Sequence, residues 1–130
     1  MVGRLRGLLD TSVVIARAVR ELPEEAAISS ATLAELHFGV HLASDDAQRH
    51  ARVRRLSEIE ARFDPLPVDA AVARAYGVLL HVVVAAGRRP RRRAMDLLIA
   101  ATAHANGLPL YTRDQAEFAG LEDHVELVLV

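Results

Sequence analysis

The sequence predicts an α/β sandwich: a central, mainly parallel sheet of four or five strands with helices on both faces. Short apolar runs alternate with longer segments whose apolar residues recur every three or four positions, the pattern of strands feeding helices. The runs are aliphatic nearly throughout, which suits strands buried on both sides rather than strands with one wet face. With 130 residues the chain is long enough for one core and too short for two, so a single domain over residues 1–130 is expected.

Residues 5–9 form the first run and stop at Asp10-Thr11-Ser12, a polar triplet able to cap a helix that continues through Val13, Val14, Arg17 and Ala18. A second run at 26–29 leads into Ser30 and Thr32, then Leu33, Leu36, Val40 and Ala43 on one helix face. Residues 45–62 carry Val53, Leu56 and Ile59 at helical spacing among many charges, an amphipathic surface helix ended by Pro65 and Pro67. Asp69 caps the next helix, whose apolar stripe is Val72, Tyr76, Leu79, Leu80 and Val83; its Val82-Val83-Val84 run would also suit a strand. Residues 87–90 break the chain, and Met95, Leu98, Ile99 and Thr102 mark a buried helix that stops at Asn106-Gly107. Residues 108–111 form another strand, Thr112-Arg113-Asp114 a polar corner, and a helical turn then leads to a final strand at 125–130.

With 52% hydrophobic residues, 25% charged and a net charge of -1, the chain buries enough apolar surface to fold and is not a disordered segment. It has no cysteine, which excludes a disulfide frame, a thiolate metal site and a cysteine nucleophile. The longest uncharged windows, 75–87 and 97–112, are too short or too interrupted to span a bilayer. No long apolar segment precedes Asp10, so no signal peptide is read and a cytoplasmic protein is expected.

In open parallel sheets the ligand site lies beyond the carboxyl ends of the strands, where Asp10 and Asp114 fall. Glu35, early in one helix, and Asp96, at the start of another, bring two more acids toward that edge. Each has a local explanation too. Asp10 caps its helix, Glu35 completes a capping box with Thr32, Asp96 pairs with Arg92 at i,i+4, and Asp114 makes a box-like pair with Glu117. Asp96 is the most telling, because Met95, Leu97, Leu98 and Ile99 surround a carboxylate that needs a positive partner, a need that metal ions would meet.

At four segments the chain resembles a known family: Leu8-Leu9-Asp10-Thr11-Ser12, then Thr32-Leu33-Ala34-Glu35-Leu36 with Gly39, then residues 96–103 from Asp96 to Ala103, then Tyr111-Thr112-Arg113-Asp114 with Glu117-Phe118. It is similar to the PIN-domain ribonucleases, specifically the VapC-type toxins of bacterial toxin–antitoxin pairs. The resemblance implies a PIN-like three-layer α/β/α sandwich, Mg²⁺- or Mn²⁺-dependent endoribonuclease activity, a homodimer, and a cognate VapB-type antitoxin as partner. It implies catalytic roles for Asp10, Glu35, Asp96 and Asp114, with Asp10 and Asp96 as metal ligands and Glu117 in reserve for the fourth position. Hard divalent ions choose such oxygen ligands while keeping waters and substrate phosphate oxygens. Thr11, Ser12 and Thr112 are expected at the substrate or its water.

All sixteen basic residues are arginines. Five of them, Arg88, Arg89, Arg91, Arg92 and Arg93, precede the Asp96 helix, where the family more commonly has Gly and Pro. They read either as a solvated loop or as RNA phosphate contacts, with Arg92 and Arg93 nearest the site. The few aromatics do not interleave with these arginines, so no base-stacking platform is expected. His37 and His41 stand at i,i+4, a zinc-compatible spacing, but Glu35 lies on another face of the helix and no HExxH pattern exists. His81, within an apolar run, is expected in the core or an interface. A phosphoacceptor receiver domain shares the length and fold class but needs a lysine that this chain lacks. A catalytically silent PIN-fold module that binds RNA or protein is the remaining alternative.

Overall fold

The computed structural model describes residues 6–16, 21–89 and 93–130. Strands β1 (Arg6–Leu9), β2 (Glu25–Ala27), β3 (Leu110–Thr112) and β4 (Leu127–Leu129) form a sheet of order β2-β1-β3-β4. All three pairings are parallel, with Leu8 beside Ala27 and Leu110, and Tyr111 beside Leu9 and Val128. Around the sheet lie α1 (Thr11–Val14), α2 (Ser30–His41), α3 (Asp46–Arg62), α4 (Ala70–Ala85) and α5 (Ala94–Ala105), with a 3₁₀ turn at Gln115–Phe118. Among the described residues no helix is long and apolar enough to cross a membrane.

Successive residues of a strand point to opposite faces, and here that alternation builds two cores. Leu8 and Leu110 turn toward Val72, Leu79 and Val83 of α4 and Leu97 and Ile99 of α5. Leu9 and Tyr111 turn the other way, toward Val13 and Val14 of α1 and Ile59 of α3. The result is the three-layer sandwich. Each fully buried aliphatic side chain contributes about 1.5–3 kcal/mol, which explains why the strands need no polar face. Gly7 sits beneath the Tyr111 ring: a Cβ there would lie 2.7 Å from Tyr111 Cδ1, so the ring reaches its core position only over a residue without a side chain.

The helices begin and end where their sequences dictate. The Asp45 and Asp69 carboxylates accept from the Gln48 and Val72 amides at 2.7 and 3.0 Å, supplying acceptors for otherwise unpaired first-turn donors. Gly87 and Gly107 adopt left-handed φ of 74° and 64°, and the amides that follow them reach back to Val83 and Ala103, the glycine-terminated stop at a helix C-terminus.

Boundaries differ from the apolar runs because a run records burial, whereas a strand ends where its ladder ends. Ile28 and Val125 are buried core residues outside the strands. Thr112, read as part of a corner, is instead the last residue of β3 and fully buried. The first helix ends at Val14, and Arg17 and Ala18 lie outside the described residues. Val82-Val83-Val84 stays helical, since Val83 belongs to the α4 stripe against the core. His81 is exposed rather than a core residue.

Candidate active site

At the carboxyl end of β1, Asp10 leaves the strand in extended conformation and caps α1, only 5% of it exposed. Its Oδ1 accepts from the Ser12 amide at 2.8 Å and its Oδ2 from the Ser12 hydroxyl at 3.1 Å. The Thr112 hydroxyl, at the end of the adjacent β3, also donates to Oδ2. Ser12 Oγ in turn accepts from the Arg113 amide at 3.1 Å, and Thr112 Oγ1 from the Asp114 amide at 3.0 Å. Neighbouring parallel strands thus lock one carboxylate through two hydroxyls, each fixed by a backbone donor from the β3 exit.

Glu35 comes from α2. Its Oε1 accepts from the Thr11 hydroxyl at 2.7 Å, and that hydroxyl also lies 3.1 Å from Thr32 Oγ1. The capping-box reading of Thr32 and Glu35 does not hold, because α2 begins one turn earlier with Ser29 as its N-cap. Ser29 Oγ accepts from the Ala31 amide and meets Thr102 Oγ1 at 3.0 Å, with both side chains fully buried. This second hydroxyl pair ties the start of α2 to α5, the helix that carries Asp96.

Asp96 lies in the first turn of α5, half-buried among the apolar side chains of that helix. Burial above all, then a hydrogen bond shared with Glu117 and the negative charges of Glu117, Glu35 and Asp10, push its carboxyl up to about 7. Removal from water is the larger cause and the neighbouring carboxylates add to it, and both favour the protonated form. The Asp114 carboxylate is exposed and is not among the charges acting on Asp96. Glu117, three residues on in the 3₁₀ turn, is the acid that reaches it. Arg93 braces this arrangement, its guanidinium donating to the Glu117 carbonyl at 3.0 Å.

Of the residues predicted for the site, the structure gathers Asp10, Glu35 and Asp96, together with Thr11, Ser12 and Thr112. It substitutes Glu117 for Asp114 as their acidic neighbour. The three hydroxyls that the sequence assigned to substrate or water each direct their proton at a carboxylate. Arg92 lies outside the described residues, and Arg93 is engaged with backbone. Sequence reasoning missed Thr32 and gave Glu117 only a reserve place; the signal for both lies in helix registers, which place Thr32 one turn before Glu35 and Glu117 beside the start of α5. The i,i+4 histidines do not converge: His37 Nε2 meets Glu60 Oε1 at 2.9 Å.

Among the described residues no three histidine or acidic side chains form a ready-made metal shell. The donors present nevertheless suit a hard divalent cation that takes one or two carboxylates and keeps waters and phosphate oxygens. Asp10 and Asp96 offer those oxygens, and a cation would offset both the burial of Asp96 and the negative charges of Glu117, Glu35 and Asp10 that act on it.

Residues 8–122 match the PIN domain family. Ribonuclease VapC8 of Mycobacterium tuberculosis is 43% identical over 101 residues, covering 75% of this chain and 89% of its own length. Ribonuclease VapC5 of the same organism is 37% identical over 130 residues, covering 95% and 93%. The crystal structure of VapBC-5, a member of the VapBC family of toxin–antitoxin systems from M. tuberculosis, superposes with a TM-score of 0.86 at 38% identity. That match covers 97% of this chain and 99% of the chain compared.

Proposed function

The chain belongs to the PIN-domain family as a homologue of the VapC ribonucleases, and we propose that Asp10, Glu35, Asp96 and Glu117 form the site at which it hydrolyses RNA phosphodiester bonds. It is the toxin of a toxin–antitoxin pair, an endoribonuclease whose partner is a cognate VapB-type antitoxin. We read residues 1–130 as one PIN domain. The observation that carries the site assignment is the hydroxyl network at the carboxyl ends of β1 and β3, in which Ser12 and Thr112 fix Asp10 and Thr11 fixes Glu35, with Asp96 raised by burial and by Glu117, Glu35 and Asp10 beside it.

A hydrogen bond with Glu117 and burial both favour the protonated form of Asp96. Asp10 and Asp96 are the residues to hold Mg²⁺ or Mn²⁺, which when bound supplies Lewis acidity and neutralises charge developing on the phosphate oxygens. Ser12 and Thr112 keep Asp10 oriented. Thr11 engages Glu35 Oε1, leaving Oε2 to orient the attacking water and take one of its protons. The water oxygen bonds to phosphorus, the ester P–O bond breaks, and the leaving oxygen takes a proton from solvent. Arg88 and Arg89, both exposed, suit the phosphates flanking the scissile one.

The test is incubation of total cellular RNA with purified, partner-free protein in Mg²⁺, Mn²⁺ or EDTA, beside Asp10→Asn and Asp96→Asn. Discrete products that require the cation and vanish in both variants are expected. Absence of cleavage by verified folded protein would favour a binding role instead.

A further inference from the structure

We infer that Thr11 and Thr32 are positioning residues whose hydroxyl pair, lodged between α1 and α2, holds the Glu35 carboxylate in its working orientation. This inference rests on the reading of Glu35 given above. Thr32 and Glu35 stand three residues apart on α2 and so share a face of the helix. Thr11 enters between them from α1, 2.7 Å from Glu35 Oε1 and 3.1 Å from Thr32 Oγ1. A hydroxyl has one proton, and a carboxylate can only accept. Thr11 is the donor in both contacts, so its one proton is shared between Glu35 Oε1, at the shorter distance, and the oxygen of the fully buried Thr32.

Two further features make the pair a device for orientation. A glutamate has three rotatable side-chain bonds and loses considerable entropy when held still. Among the described residues no arginine or histidine forms an ion pair with Glu35, so the hydrogen bond from Thr11 is what restrains it. Threonine is stiff at χ1, and Thr32 has no solvent exposure, so its oxygen is a fixed second anchor for the Thr11 hydroxyl. Thr11 also follows Asp10 directly, so the turn that aims one acid of the site holds a second.

The experiment pairs two readouts. In metal-free urea unfolding, the cycle of wild type, Thr11→Val, Glu35→Gln and the double variant is expected to show coupling of about tenfold in the unfolding constant, as for a hydrogen bond to a charged group. Additive effects would overturn the inference. In Mn²⁺-dependent RNA cleavage, Thr11→Val is expected to lose about 10–100-fold, the scale of an outer-shell defect, with Thr11→Ser restored to within about threefold of wild type. Thr32→Val is expected to lose about three- to tenfold. Valine keeps the branched shape, so a lost fold would appear in the melting curve and the serine variant still decides. Wild-type activity in Thr11→Val overturns the positioning role. A wild-type protein that cleaves nothing defeats the functional reading instead, and the unfolding cycle still decides whether the clamp exists.

Discussion

Asp96→Asn should stabilise the metal-free protein, and by an amount that grows with pH. In the folded chain the Asp96 carboxyl is pushed up from 3.8 to about 7. A folded-state value above the unfolded one means that the native state holds the proton more tightly. The associated stability is complete below about pH 4 and is lost as pH rises through about 7. At 1.36 kcal/mol per pKa unit the full window corresponds to about 4 kcal/mol, halved to about 2 kcal/mol by solvent screening at a half-buried site. More than half of this falls between pH 5 and 8. Asparagine retains a neutral, hydrogen-bonding side chain without the ionisation. The variant's advantage over wild type should therefore be about 1 kcal/mol larger at pH 8 than at pH 5, about 3–4 °C in Tm for a chain of this size. Melting curves of both proteins in EDTA at pH 5, 6, 7 and 8 provide the measurement, and histidine titrations common to both largely cancel. A pH-independent difference, or a variant less stable than wild type at pH 8, would refute the shared acidic site.

Glu117→Gln is expected to reduce cleavage about 100-fold and let Asp96 titrate below 7 in a carboxyl NMR titration. Asp114→Asn should stay within about threefold of wild type, and the reverse ranking would restore Asp114 to the site. Replacing Arg88, Arg89, Arg91, Arg92 and Arg93 by glutamine should weaken RNA binding and flatten its dependence on salt by about 0.7 in log-log slope for each phosphate no longer neutralised; an unchanged slope would mark them as a solvated loop. Gly7→Ala should destabilise the fold by about 1–3 kcal/mol, because its new methyl group collides with the Tyr111 ring. Urea unfolding checks this, with Gly7→Ala/Tyr111→Leu expected to recover part of the stability.

The fold class was legible because parallel strands buried on both faces leave a strong aliphatic signature. The acids at Asp10 and Asp96 were legible because one ends an apolar run and the other interrupts one. What escaped depends on registers that no one-dimensional pattern carries. Whether Asp114 or Glu117 faces α5 is decided where the 3₁₀ turn at Gln115–Phe118 begins: Asp114 stands before it with non-helical backbone, φ -128° and ψ 85°, and Glu117 lies within it. Thr11 and Ser12 are adjacent in sequence, yet one restrains Glu35 and the other Asp10, a division that exists only once α1 lies against α2. Arg93 belongs to a basic run in sequence but spends its guanidinium on the Glu117 carbonyl, a partner 24 residues away.

The hydrogen bonds that lock Asp10 also set a clock on the birth of the toxin. Thr112 lies 102 residues after Asp10, and Arg113 lies 101 residues after Ser12. At about 5–20 residues per second of synthesis, roughly 5–20 seconds separate the first acid of the site from the hydroxyl that orients it. During that interval β1 has only β2 to pair with, and the seam with β3 that closes the sheet does not yet exist. A growing chain therefore carries three of its acids with no finished site, and one that stops before residue 112 lacks the hydroxyl that Thr112 directs at Asp10.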